Sequence, residues 1–170
     1  AQLAEEACEV EIRRCGKPIG KQDQYIAAFG GMRGFRFRRD GGVEAERLVL
    51  SSEKLHRLSS NLFLFYTAST RKASDILAEQ NDRVPENLRA LQRIKELACE
   101  AGGAARVDDF DRIGRVLGEN WTLKKGLASQ ITNSRIDEMH ALAMRAGATG
   151  AKLCGAGGGG FLLVYCPPPA

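Results

Sequence analysis

The sequence predicts an α+β protein in two parts, residues 1–52 and 53–170, and three observations carry that prediction. Gly34 to Asp40 alternates strictly, with Phe35 and Phe37 on one face and Arg36 and Arg38 on the other, as a half-buried hairpin strand does. Long stretches after residue 70 repeat apolar residues at helical spacing. Near the end, five glycines and one alanine, Gly155 to Gly160, stand between two apolar, strand-like flanks. Several helices with two or three strands in the second part argue for a sheet covered by helices on one face.

Taken in order, Leu3, Ala4, Ala7 and Cys8 lie opposite Glu5, Glu6 and Glu9, so the chain opens in an amphipathic helix, ended by Cys15, Gly16 and Pro18. A short helix is expected over Asp23 to Phe29, closed by Gly30 and Gly31. Asp40, Gly41 and Gly42 turn the hairpin into a strand over Glu44 to Leu50. A polar break at Ser51 and Ser52 marks the boundary between the parts. Asn61 to Tyr66 reads as a buried strand, and Thr67 to Thr70 as a cap-rich lead into a helix over Arg71 to Gln80. Four helices are then expected: one through Leu88, Leu91, Ile94 and Leu97 after Pro85; one through Phe110, Ile113 and Leu117; one through Leu123, Leu127 and Ile131; and one through Ile136, Met139, Ala143 and Ala146. Gly147 and Gly150 stop the last, and the glycine run joins two short strands.

Bulk properties bound the function. No apolar run reaches membrane-spanning length, and the acidic opening helix is unlike a signal peptide. The five cysteines, Cys8, Cys15, Cys99, Cys154 and Cys166, have no C-x-x-C spacing, which favours reduced thiols and a cytoplasmic protein over a disulfide or metal framework. A net charge of +4 suits phosphorylated small molecules and would also suit nucleic acid.

So many glycines between apolar flanks imply positive φ or a very close approach by another group, in a loop whose amide N–H groups can receive a phosphate. A purely structural turn is the competing reading. The run is neither a Walker loop, which needs Gly-Lys-Ser/Thr, nor a strand-first dinucleotide fingerprint. Lys152 and Leu153 followed by Gly155, Ala156, Gly157, Gly158, Gly159, Gly160 and Phe161 resemble the third signature motif of the GHMP kinases, the family of galactokinase and the homoserine, mevalonate and phosphomevalonate kinases. Gly16 to Tyr25, then Phe29 to Gly31, is similar to the loop and helix on which that family carries an acidic residue facing the acceptor hydroxyl.

The resemblance implies the remainder of an S5-like N-terminal kinase domain followed by a ferredoxin-like C-terminal domain, and ATP-dependent phosphoryl transfer. Asp23 would be the catalytic carboxylate, Glu11 the Mg²⁺ ligand, Gly155 to Gly160 the nucleotide or phosphate loop, and ATP and Mg²⁺ the cofactors. Phe65 to Leu77, Trp121 to Lys125 and Gly147 to Lys152 are most similar to the branch acting on D-glycero-D-manno-heptose 7-phosphate, with Arg71 and Lys21 as substrate contacts. The family's first motif and its Pro-x-x-x-Gly-Leu-x-Ser-Ser loop are not in this sequence, so the chain is expected to be the second half of a kinase and inactive alone.

Each residue has a plainer reading. Asp23 can be a helix-start carboxylate offsetting the macrodipole, Glu11 one more solvated glutamate, Arg71 the partner of Asp75, and Trp121 core packing. Two other functions stay open. A strand platform for single-stranded nucleic acid would use Arg33, Arg36, Arg38 and Arg39 with Phe35 and Phe37, although alternation separates rings from guanidinium groups. A catalytically silent relative would keep the fold to bind a metabolite. The leading reading needs no nucleic acid and no membrane, and its partners are ATP and a sugar phosphate.

Overall fold

The computed structural model describes residues 1–168, and the chain forms two compact units, Ala1–Val49 and Leu50–Ala170. In the first unit α1 (Gln2–Cys8) runs on as a π-helical stretch over Glu9–Arg14, where i to i+5 bonding widens the turn. α2 (Gln22–Phe29) follows, and then β1 (Arg33–Phe37) and β2 (Val43–Arg47) pair antiparallel with Phe35 opposite Ala45. The turn between them closes with Arg38 N–H donating to Gly42 O at 2.9 Å, and Gly41 takes φ +86°, a conformation that favours glycine. The alternation has its expected effect: Phe35 and Phe37 meet the Tyr25 ring edge-on at 5.9 and 6.1 Å, and Phe35 meets Phe29 at 6.1 Å. Ala4, Cys8 and Tyr25 complete that small core.

The second unit begins with a helix that the sequence reading passed over. The polar break at Ser51 is a helix cap: its hydroxyl accepts from Lys54 N–H at 3.3 Å and starts α3 (Ser52–Ser59). Next come β3 (Leu62–Tyr66), α4 (Ala73–Asp82), α5 (Val84–Arg106, with Pro85 in its first turn), α6 (Phe110–Lys125), α7 (Ser134–Arg145), β4 (Gly150–Leu153) and β5 (Phe161–Tyr165). The helix expected through Leu123, Leu127 and Ile131 is instead the last turn of α6 followed by a loop. Leu127 and Ile131 are apolar at helical spacing because both are buried in the core from that loop.

The three strands form one antiparallel sheet in the order β3-β5-β4. β3 is therefore an edge, and the buried strand expected there is exposed: Phe63, Leu64, Phe65 and Tyr66 are each about half open or more. Helices are shared between the sheet faces rather than confined to one. Gly150 and Tyr165 face α6, where a side chain at Gly150 would overlap the Gly114 carbonyl, while Ala151, Leu162 and Val164 pack with Met139 and Ala143 of α7. A second core gathers Ile76, Trp121, Leu127, Ala128, Ile131, Ile136 and Leu153, which places Trp121 in packing rather than on a sugar. Arg93 of α5 ties the α5–α6 pair together through Glu100 and, on α6, Glu119, both at 2.8 Å.

None of the cysteines is in a disulfide. No helix of the described residues is long and apolar enough to cross a membrane.

Candidate active-site elements

In the first unit Asp23 sits in the first turn of α2, exposed, where its charge complements the helix N-terminus. It lines an open groove of about 350 Å³ with Glu11, Gln24, Leu3 and the small residues Ala7, Ala27 and Ala28. The two predicted carboxylates, 12 positions apart in sequence, thus share one concavity. The alanines let the helices approach and leave the groove floor without bulk.

Glu11 is not free within it. One oxygen accepts from Lys17 Nζ at 2.7 Å and the other from Gln24 Nε2. The ammonium of Lys17, and then the Gln24 amide, hold the Glu11 carboxyl below the usual carboxylate range. A Mg²⁺ ion binds through one or two carboxylates with open lone pairs. Glu11 offers neither oxygen open, and a cation already stands beside it. The residues as arranged do not fit a divalent cation at Glu11. Their chemistry is that of a salt bridge bracing the turn before α2.

Lys21 is similarly engaged. It donates to Glu5 at 3.3 Å and to Gly41 O at 3.3 Å. Glu5 also accepts from the Tyr25 hydroxyl, and that hydrogen bond, with burial, pushes the phenol up to about 12. Lys21 therefore ties α1 to the hairpin turn, which leaves the substrate role expected of it without geometric support.

In the second unit the glycine loop lies between β4 and β5, closed at its base by Cys154 N–H donating to Phe161 O at 2.8 Å. Its glycines are required by contact. A Cβ at Gly159 would stand 2.1 Å from Ser69 O, and one at Gly158, where φ is +73°, within 2.9 Å of the Arg71 side chain and Ile76. The Thr67 to Thr70 stretch, expected to cap a helix, grips this loop instead. Thr67, fully buried, donates to Gly160 O from both its amide (2.9 Å) and its hydroxyl (3.0 Å), and Gly160 N–H donates to Ser69 O at 3.1 Å. α4 begins only at Ala73, with no side-chain cap.

The expected row of outward amides is only partly present. Gly158 N–H is spent on Ile131 O at 2.8 Å and Gly160 N–H on Ser69 O. Gly155, Ala156, Gly157 and Gly159 donate no backbone hydrogen bond among the described residues. Arg71, exposed, lies along Gly158 and makes no ion pair with Asp75 among the described residues, so the structure brings Arg71 and the loop together.

Two further side chains, read in the sequence only as parts of motifs, adjoin the loop. Lys124, in the last turn of α6, donates to Gly155 O, and Lys152 precedes the loop on β4. Both are half-buried. Burial first, then the charge of Lys152, lowers Lys124 to about 8; burial also lowers Lys152. The signal available in sequence was slight: a lysine inside an apolar strand, and one of two adjacent lysines at a helix end.

Residues 94–170 match the family model of the GHMP kinases C terminal. A D-glycero-alpha-D-manno-heptose 7-phosphate kinase from Campylobacter jejuni is 30% identical over 169 residues, covering 98% of this chain and 50% of that protein. A bifunctional fucokinase/GDP-fucose pyrophosphorylase from Arabidopsis thaliana is 27% identical over 121 residues, 69% of this chain and 11% of that protein. Among solved structures, a D-glycero-D-manno-heptose 1-phosphate kinase from Bacteriodes thetaiotaomicron superposes with a TM-score of 0.71 at 27% identity, over 97% of this chain and 44% of that one. The chain thus spans half the length, or less, of the relatives it matches.

Proposed function

We propose, from the premise that residues 94–170 are a GHMP kinase C-terminal domain, that this chain is part of an ATP-dependent kinase phosphorylating a hydroxyl of a sugar phosphate, with a heptose 7-phosphate as substrate. Sequence relatives that are sugar kinases support the reaction class, and the heptose phosphate kinase similar over nearly the whole chain supports the substrate. The observation that carries the catalytic assignment is the groove. Asp23 is exposed there, beside small residues, and its carboxylate oxygens accept no hydrogen bond from the described residues. A carboxylate so placed can accept the proton of an acceptor hydroxyl as the phosphorus–oxygen bond forms.

Each remaining residue has a role within this reading. Glu11 and Lys17 position Gln24 and the groove wall. Arg71, over the glycine loop, supplies a guanidinium for a phosphate oxygen. Mg²⁺ neutralises phosphate charge in such reactions, but Glu11 as paired here is not its ligand, and no step is assigned to it. The 170-residue chain by itself turns over slowly, because most of the charge stabilisation in phosphoryl transfer comes from a triphosphate cradle of a kind this sequence does not contain.

The alternative of a nucleic-acid platform is disfavoured by pairing. Arg38 is bound to Glu44 at 2.9 Å and to Asp40 at 3.4 Å, and Arg33 lies over Phe29 at 5.1 Å, while Phe35 faces Tyr25 and Phe29. The deciding experiment is a phosphoryl-transfer assay on the full gene product that contains this chain, with ATP and heptose 7-phosphate. Asp23→Asn is expected to cut kcat by ~10² to 10⁴ and leave ATP affinity nearly unchanged. Activity within a few-fold of the parent would return Asp23 to a helix-start carboxylate.

A further inference from the structure

We propose that the side-chain carbonyl of Gln24 accepts a hydrogen bond from a second hydroxyl of the sugar substrate, next to the one that Asp23 receives, and so selects a substrate carrying two neighbouring hydroxyls. The inference deepens the kinase reading and rests on it.

The geometry carries it. Gln24 follows Asp23 in the first turn of α2 and lines the same groove, yet it is only 8% exposed, against the open Asp23. The two atoms of its amide are used differently. Nε2 donates to Glu11, whereas Oε1 is closed to bulk water and accepts no hydrogen bond among the described residues. Turning the amide over would set a carbonyl against the Glu11 carboxylate, two acceptors with no proton between them. Lys17 keeps Glu11 ionised from 2.7 Å on its other oxygen, so Lys17, Glu11 and Gln24 form a chain whose last member is an acceptor of fixed orientation. A buried carbonyl without a donor costs stability, and such a group is retained where a ligand completes it.

The plainer reading is that Gln24 serves only to clamp Glu11. A clamp uses the amide nitrogen and leaves the oxygen, one residue from Asp23, unaccounted for. The rest of the groove says which donor fits. Leu3, Ala7, Ala27 and Ala28 are apolar, Glu11 is neutralised by Lys17, and Asp23 is the one open charge in the lining. An ammonium or guanidinium donor would be drawn to Asp23 and occupy the carboxylate that has to take the acceptor proton. A neutral hydroxyl suits Gln24, and the C–H faces of a sugar suit the alanines. Acceptors on successive residues, whose Cα atoms are about 3.8 Å apart, suit hydroxyls on neighbouring carbons.

The test is a cycle of enzyme and substrate on the full gene product. It compares kcat/KM for D-glycero-D-manno-heptose 7-phosphate and for its monodeoxy analogues, each lacking one hydroxyl other than the acceptor, in the parent and in Gln24→Met. In the parent, removal of the hydroxyl that Gln24 reads is expected to lower kcat/KM about tenfold or more. In Gln24→Met the full sugar loses a similar factor and that same analogue loses no further, whereas a purely structural role lowers every sugar alike. Gln24→Asn, whose amide falls one methylene short, is expected to behave as Gln24→Met does. Should neither variant fold, the ¹⁵N resonance of the Gln24 side-chain amide in the parent decides: it is expected to shift with heptose 7-phosphate and to shift less with that analogue. Losses that add independently for every analogue, or an amide resonance indifferent to which sugar is bound, overturn the proposal and leave Gln24 as a clamp on Glu11. If the gene product phosphorylates heptose 7-phosphate and the losses add, this inference fails and the kinase reading stands. If no turnover is found, the kinase reading fails, and the same cycle read in dissociation constants still decides whether Gln24 receives a sugar hydroxyl.

Discussion

At the residue scale, carboxylates and glycines are separated by what surrounds them. Glu11 and Asp23 share a groove, yet the first is clasped by an ammonium and an amide and the second is open. Glu11→Gln is therefore expected to leave the Mg²⁺ dependence of turnover unchanged, and a Mg²⁺ titration on the gene product checks it; a raised requirement would restore Glu11 as a ligand. The glycines divide in the same way. Gly159→Ala forces a methyl onto the Ser69 carbonyl, 2.1 Å away, and is expected to lower unfolding stability by about 1–3 kcal/mol, as overpacking does. Gly155→Ala meets nothing within 4 Å and carries only the cost of φ +71°, about 1 kcal/mol. Urea unfolding of the two variants should rank them in that order. Bulk at Gly159 thus harms folding at least as soon as catalysis, which the run of glycines alone did not suggest.

At the element scale, the segment between β3 and α4 is the clasp of the glycine loop. The chain from Thr67 to Ser69 exchanges backbone hydrogen bonds with Gly160, and the buried Thr67 hydroxyl adds one more. Thr67→Val keeps the shape and removes that hydroxyl, leaving the Gly160 carbonyl one donor short; a loss of about 1–3 kcal/mol is expected. Amide exchange should show the effect concentrated in residues 155–160 and 67–70 rather than spread over α5 and α6. Helix existence was legible in sequence wherever apolar periodicity was long, as in α5 and α7. Helix ends were less so: the serine and threonine residues at 67–70 read as caps, whereas the one at Ser51, read as a break, is the true cap. The same hydroxyl chemistry serves either use, and the partner that takes it is chosen by the fold.

For the whole molecule, pH dependence follows from groups whose folded pKa departs from the usual value. Glu79 is lowered first by the Ser129 amide and Glu100 by Arg112, so their contributions are present above the usual carboxylate pKa and lost as pH falls through the depressed folded values. Lys124 acts in the same direction at higher pH. Between about 8, its folded value, and its ordinary value of 10.5 the unfolded chain binds the proton more tightly, so this group makes stability rise with pH across that window. Cys8, raised by burial above 9.0, and Tyr165, raised by burial to about 12, oppose it at the alkaline end. The clean measurement is the difference in stability between the parent chain and Lys124→Met from pH 7 to 10. The parent is expected to gain on the variant as pH rises, and a flat difference would mean Lys124 is as hydrated as Lys125.

Sequence alone determined the hairpin, the helical middle and the two strands flanking the glycines, because alternation, helical periodicity and glycine clustering are local consequences of which residues meet water. It also singled out Asp23, Glu11 and the glycine run as chemistry-bearing. The tertiary structure alone decided which of those groups are spent. Lys17 occupies Glu11, Glu5 occupies Lys21, Ile131 and Ser69 take two of the loop amides, and Lys124 reaches the Gly155 carbonyl. Those outcomes depend on contacts between residues far apart in the chain, whose energies no local pattern encodes: a glutamate reads alike whether it faces solvent or an ammonium 2.7 Å away.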